Sequence, residues 1–253
     1  MTRYAGKKAV VTGGSHGMGL AIAKALVDGG AEVLVTGRKE EALASARAEL
    51  GARGLAVRSD AASLADIDAL AAQVKDRLGR IDALFVNHGI AELEPLEQVT
   101  EASYDRHFNI NAKGAFFTVQ RLAPFIEDGG AIVLTTVAND RVFGGMSTYS
   151  GSKEALRAFG QVWAAEFLPR RIRVNAVAPG FIKTPTMGVA GLNDEERAAF
   201  EKQGDSMTPL RRNGTVSEIA AAALFMAFEA TFTTNVELAV DGGFAQGISG
   251  DEH

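Results

Sequence analysis

The chain has 253 residues, 47% of them hydrophobic and 23% charged, with a net formal charge of −5 and no cysteine. It is long enough to bury a core without staples, and at this length an α/β fold is often a single domain. The composition excludes disulfides, thiol catalysis and thiolate metal sites, fits a reducing, cytoplasmic setting, and gives no electrostatic reason to expect a nucleic acid or membrane partner.

Residues 1–8 are polar and lead straight into a strand-like run, with no apolar h-region, so no secretory signal is expected. The apolar run 9–11 reads as a buried strand ending in glycines, followed by helical periodicity over 18–27. Strand 33–35, helix 40–50, strand 55–57 and helix 64–78 continue the alternation. Strands are then predicted at 81–86, 132–136, 172–177 and 236–240, with helices at 104–126, 148–167 and 217–229 between them. The longest apolar run, 219–228, is about half of what a membrane span needs. Continuous apolar strands between helices predict one doubly wound, Rossmann-type α/β domain over residues 1–253, its mostly parallel sheet covered by helices on both faces. Residues 185–213 break the pattern with Pro185, Gly188, Gly191, Gly204 and Pro209 around a helical piece at 193–202. Such an insertion is expected to be a substrate lid, the alternative being a loose surface excursion.

Thr12-Gly13-Gly14-Ser15-His16-Gly17-Met18-Gly19 follows the first strand and opens the first helix. Glycines permit positive φ and close backbone approach, and a helix N-terminus offers unpaired N–H groups to a pyrophosphate. The spacing is G-x3-G-x-G rather than the standard dinucleotide fingerprint. After the second strand, Arg38 and Lys39 stand where an acid would hold an NAD ribose, which favours NADP(H) over NAD, unless they merely begin a solvated helix. Asp60 ends the third strand region and is a candidate partner for the adenine amino group. Asn87-His88-Gly89 ends the fourth, with Asn87 bracing neighbouring strands and Gly89 admitting the nucleotide. His88 has no carboxylate or second histidine nearby in sequence and reads as packing rather than catalysis.

Tyr149 and Lys153 are four residues apart, one turn on one helix face. An ammonium beside a phenol is expected to lower the phenol's pKa and make it a usable acid and base. Together with Thr12-Gly13-x3-Gly17-x-Gly19, Asp60, Asn87-His88-Gly89, Asn111, Thr136, Asn175-Ala176-Val177-Ala178-Pro179-Gly180 and Thr184, the pair resembles the short-chain dehydrogenase/reductases over nearly the whole chain. Within that family the sequence looks most like NADPH-dependent ketone reductases and secondary-alcohol dehydrogenases. Two positions depart: His88 replaces the family's alanine, and Thr136 stands thirteen residues before the tyrosine where the family has serine.

The resemblance implies hydride transfer between NADP(H) and a ketone or secondary alcohol. Tyr149 would be the acid/base, Lys153 would tune it and bind ribose, and the Thr136 hydroxyl would hydrogen-bond the substrate oxygen. Asn111 would hold a water leading from Lys153 to solvent, or else be a structural amide at a helix kink before Gly114. The cofactor would also meet Ser15, His16, Met18, Ala61, Pro179, Gly180, Ile182 and Thr184. The substrate would meet Ala138, Asn139 and Phe143, with no metal and a homotetramer as the assembly. NAD-dependent alcohol oxidation and a non-catalytic dinucleotide-binding module are the competing readings.

Overall fold

β-branched and apolar triplets bounded by glycine or charge build the strands, and capped amphipathic runs build the helices between them. The computed structural model of the chain describes residues 2–185 and 189–248. Its elements begin with β1 (Lys8–Thr12), α1 (Gly17–Asp28), β2 (Glu32–Gly37), α2 (Glu40–Leu50), β3 (Gly54–Arg58), α3 (Leu64–Arg77) and β4 (Ile81–Val86). They continue with α4 (Glu101–His107), α5 (Ala115–Leu122), β5 (Ile126–Thr135), α6 (Ser147–Glu166) and β6 (Arg173–Pro179). The last are β7 (Ile182–Lys183), α7 (Asp194–Met207), β8 (Gly214–Thr215), α8 (Val216–Leu224) and β9 (Glu237–Val240).

Seven parallel strands form one sheet in the order β3-β2-β1-β4-β5-β6-β9. The order reverses between β1 and β4, so a crevice opens beyond the carboxyl ends of those strands. Alternate strand residues feed two cores. Val11, Val33, Val35 and Phe85 pack against Ile22 and Leu26 of α1 and Ile219 of α8. Val10, Leu34, Leu84 and Leu134 pack against Leu70 of α3, Val119 of α5 and Trp163 of α6. Both faces are thus dry, as the unbroken apolar strand sequences require. No helix among the described residues is long and apolar enough to cross a membrane.

The predicted helix 104–126 is broken. Between α4 and α5 the chain widens into a π-turn over Phe108–Gly114, a device common at functional sites. Two contacts explain it. Asn111 turns its side chain off the helix to the main chain of Ile90 and to Ser152. Gly114 presses on the loop after β3, where an added Cβ would lie 2.3 Å from the Ala61 carbonyl oxygen.

The predicted helix 217–229 likewise loosens into a π-turn at Phe225–Glu229. Its freed carbonyls are collected by Arg173, which donates to the carbonyls of Met226 (2.7 Å), Ala227 and Ala230 (3.0 Å). The helix expected at 193–202 runs on to Met207, started by a capping box between Asn193 and Glu196. The insertion's two feet, β7 and β8, pair in parallel, Ile182 with Gly214 and Lys183 with Thr215. Gly188 and the tail 249–253 lie outside the described residues.

Replacing Arg173 with methionine keeps the side-chain bulk and strands these carbonyls. The variant is expected to be about 2–3 kcal/mol less stable in urea unfolding, as befits a lost charged hydrogen-bond donor.

Candidate active site

The crevice starts at the glycine turn. Gly13 and Gly17 adopt φ of +64° and +56°, a region that side chains avoid. A Cβ on Gly13 would come within 2.8 Å of the His88 Cα, and one on Gly19 within 2.4 Å of the Gly13 carbonyl oxygen. Gly19 therefore seats α1 on the turn and does not itself line the crevice. His16 precedes α1 without capping it, and no acid occupies its first turn. The helix thus presents free N–H groups and its positive end to an anion.

The turn is tied to the neighbouring strands through Thr12 and Asn87. The Thr12 hydroxyl accepts from the Asn87 main-chain N–H at 3.1 Å and stands 2.7 Å from His88 Nδ1. Asn87 donates to the Gly13 carbonyl and accepts from the Thr135 hydroxyl, both at 3.3 Å, and so braces β1, β4 and β5 as expected. His88 is buried, its Nε2 has no partner, and burial pulls its pKa down to about 4. Burial thus keeps its ring uncharged at neutral pH, and it also lines the crevice.

Ser15, His16, Gly17, Met18, Arg38, Asp60, Ala61, His88 and Gly89 line one end of the crevice. Pro179, Gly180, Ile182 and Thr184 line its far wall, where the buried Thr184 hydroxyl has no partner. Arg38 and Lys39 make no ion pair among the described residues, and Lys39 lies outside the lining. The His16 pKa is lowered by burial first, then by Lys39 and Arg38, which places an uncharged imidazole beside two cationic groups. One Asp60 oxygen accepts from the Ala62 N–H at 3.0 Å. A glycine cradle over a bare helix N-terminus, with an orphaned hydroxyl opposite, fits a dinucleotide.

Tyr149 and Lys153 rise from α6 into the middle of the same crevice. The Lys153 ammonium donates to the Thr135 carbonyl at 2.7 Å. The expected lowering of the tyrosine pKa is not what the structure gives. Burial disfavours both charged forms, pushing Tyr149 up to about 12 and pulling Lys153 down to about 8. Tyr149 therefore holds its proton.

Asn111 takes the structural-amide alternative, while Thr136 and Asn139 are tied to carboxylates. The Asn111 side chain is fully buried and committed: its amide donates to the Ile90 carbonyl and Ser152 Oγ, and its Oδ1 accepts from the Ile90 N–H. Only its main chain is left for a water. Thr136 lines the crevice, and its hydroxyl donates to Glu237 Oε1 at 2.6 Å. Asn139 turns out of the lining to donate to the Ser150 carbonyl and Glu154 Oε1.

Ala138 and Phe143 line the crevice away from the glycine turn, beside aromatic residues that local sequence did not reveal. Phe181 stacks with Phe143 at 6.4 Å and meets Phe200 and Phe244 at 5.3 and 5.2 Å. Phe200 belongs to α7, so the 185–213 insertion forms one wall, and buried Val189 adds to it. Arg141 lies over the Phe244 ring. The phenylalanine next to Pro179-Gly180 was the one available hint.

The Lys153 pKa, about 8 in the fold against an ordinary 10.5, makes a signed prediction. Between these values the unfolded chain binds more protons, so stability rises with pH there. Below pH 8 the buried charge exacts its full penalty. Relative to wild type, Lys153→Met is expected to gain most near pH 7 and to lose that advantage between pH 8 and 10.5. Paired urea titrations at pH 7 and 10 measure it, and the Tyr149 contribution is common to both proteins.

Comparison with known proteins agrees with this geometry. The family described as enoyl-(acyl carrier protein) reductase matches residues 13–245. The oxidoreductase asL5 of Sarocladium schorii is 36% identical over 248 residues, covering 96% of this chain and 98% of that one. A short-chain dehydrogenase/reductase from Serratia marcescens superposes with a TM-score of 0.88 at 31% identity, over 96% of this chain and 99% of that one. A blue fluorescent protein from a metagenomic library, solved in complex with NADPH, has a TM-score of 0.86 at 32% identity, again over 96% and 99%. The chain belongs to the short-chain dehydrogenase/reductase family of NAD(P)-dependent oxidoreductases.

Proposed function

We propose that the protein moves a hydride between NADP(H) and a ketone or secondary alcohol. The observation that carries this reading is the pair Tyr149 and Lys153, one turn apart on α6 and opening on the crevice that holds the glycine cradle. Arg38, with His16 and Lys39 close by, favours a 2′-phosphate and hence NADP(H). The structural relative that holds NADPH supports the same choice.

When bound, the dinucleotide supplies the hydride to the carbonyl carbon or takes it from the alcohol. The chain manages the proton. With its pKa near 12, the Tyr149 phenol is a proton donor to the carbonyl oxygen at neutral pH. Lys153 is mostly ammonium below pH 8. The aromatic wall suits a ketone with apolar substituents, and the α7 insertion, standing over it, is the lid. We propose a cytoplasmic homotetramer, with exposed apolar residues such as Val162 on α6 and Val236 before β9 as contacts.

Tyr149→Phe is expected to bind NADPH as wild type does and to lose nearly all ketone reduction in a spectrophotometric assay. Substantial turnover would remove Tyr149 from the chemistry. Arg38→Ala is expected to weaken NADPH at least about tenfold while leaving NADH affinity nearly unchanged, as a lost charged contact to one phosphate requires. Fluorescence titration of both nucleotides tests it, and equal weakening would return the cofactor choice to NAD.

A further inference from the structure

The Thr136 hydroxyl has one proton and two acceptors within reach. Glu237 Oε1 is 2.6 Å away and the Val177 carbonyl 3.2 Å away. The shorter contact is to a carboxylate, the stronger acceptor, so the proton is committed there. Glu237 comes from the edge strand, 101 residues further along the chain. Ala176 pairs with Leu134 on one side and Glu237 on the other. Its small side chain leaves Glu237 a path across β6 to Thr136.

Glu237 is itself held from α6, the helix of Tyr149 and Lys153. Arg157 Nε lies 3.1 Å from Glu237 Oε2, and Arg157 also meets Glu154 Oε2 at 3.4 Å. Glu154 Oε1 in turn accepts from Asn139 Nδ2 at 3.0 Å. A chain of alternating donors and acceptors thus runs from the loop after β5, along α6, to the edge strand and back to Thr136.

We propose that Glu237 is a positioning residue that withholds the Thr136 proton from the substrate oxygen. The hydroxyl assists the reduction only in the fraction of time it leaves the carboxylate. This rests on the role the family resemblance implies for Thr136, a crevice-lining residue, as a donor to that oxygen in the proposed reduction. The Arg157 contact also makes a sharp variant available. Arg157 Nε can only donate, so a glutamine at 237 turns its Oε1 to Arg157 and its NH₂ to Thr136. The hydrogen bond reverses, the Thr136 oxygen becomes the acceptor, and its proton is left with only the longer, neutral Val177 carbonyl contact at 3.2 Å to compete with the crevice.

Four proteins test this: wild type, Glu237→Gln, Thr136→Val and the double variant, assayed for NADPH-dependent reduction across a ketone panel. Glu237→Gln is expected to raise kcat about five- to tenfold with little change in KM, the scale of one hydrogen bond to a charged oxygen. On the Thr136→Val background the same substitution should change kcat less than about twofold, since the coupling runs through one hydroxyl. Glu237→Leu, which removes the carboxylate and leaves only the Val177 carbonyl as acceptor, should act in the same direction if the glutamine variant folds poorly. An equal effect on both backgrounds, or a fall in kcat while Thr136 is present, overturns the role of Glu237. If Thr136→Val alone leaves kcat unchanged, the donor role of Thr136 fails first, and the Glu237 proposal with it.

Discussion

A lysine ammonium buried without a charged partner needs a fixed acceptor, and much of the crevice is arranged around that need. Lys153 finds its acceptor in the last carbonyl of β5, at Thr135. That carbonyl is in place only because β5 lies between β4 and β6 in the ladder. The space beside the ammonium has to be kept clear. A Cβ on Gly89 would sit 3.0 Å from Nζ and 3.1 Å from Asn111 Oδ1. Asn111 in turn reaches Ser152, the residue before Lys153 on α6. One buried charge therefore accounts for a glycine after β4, an asparagine that breaks the α4–α5 helix, and the docking of α6.

The strands were legible because parallel strands dry on both faces must be apolar throughout, and Ala9-Val10-Val11 or Ile132-Val133-Leu134 have no other use in water-soluble packing. The Tyr149–Lys153 pair was legible because helix geometry alone puts residues four apart on one face. The π-turn was not: Ile110 and Ala115 still read as helical spacing, and what widens the turn is a contact with Ile90 and Ser152. The phenylalanine wall joins positions 143, 181, 200 and 244, which only the fold brings together. The Tyr149 pKa was misread because residue spacing reports a neighbour's charge and says nothing of desolvation, here the larger effect.

Along the crevice the electrostatics grade from one end to the other. Arg38, Lys39 and His16 cluster at the end of β2, neutral His88 lies beside the turn, and phenyl rings close the far end. A ligand with a charged end and an apolar end has one favourable orientation in such a gradient. That orientation brings its middle past Tyr149, where proton transfer is possible.

The small β7–β8 pairing has a consequence for how this protein can diversify. Because Ile182 and Gly214 already hold the feet of the insertion together, the segment between them is a closed loop whose entropy depends only weakly on length. Doubling such a loop costs only about 0.6 kcal/mol. Residues can be gained, lost or exchanged there without disturbing the parallel sheet or the buried lysine. One wall of the crevice can thus be recut by editing one tethered span, while Tyr149 and Lys153 stay where they are.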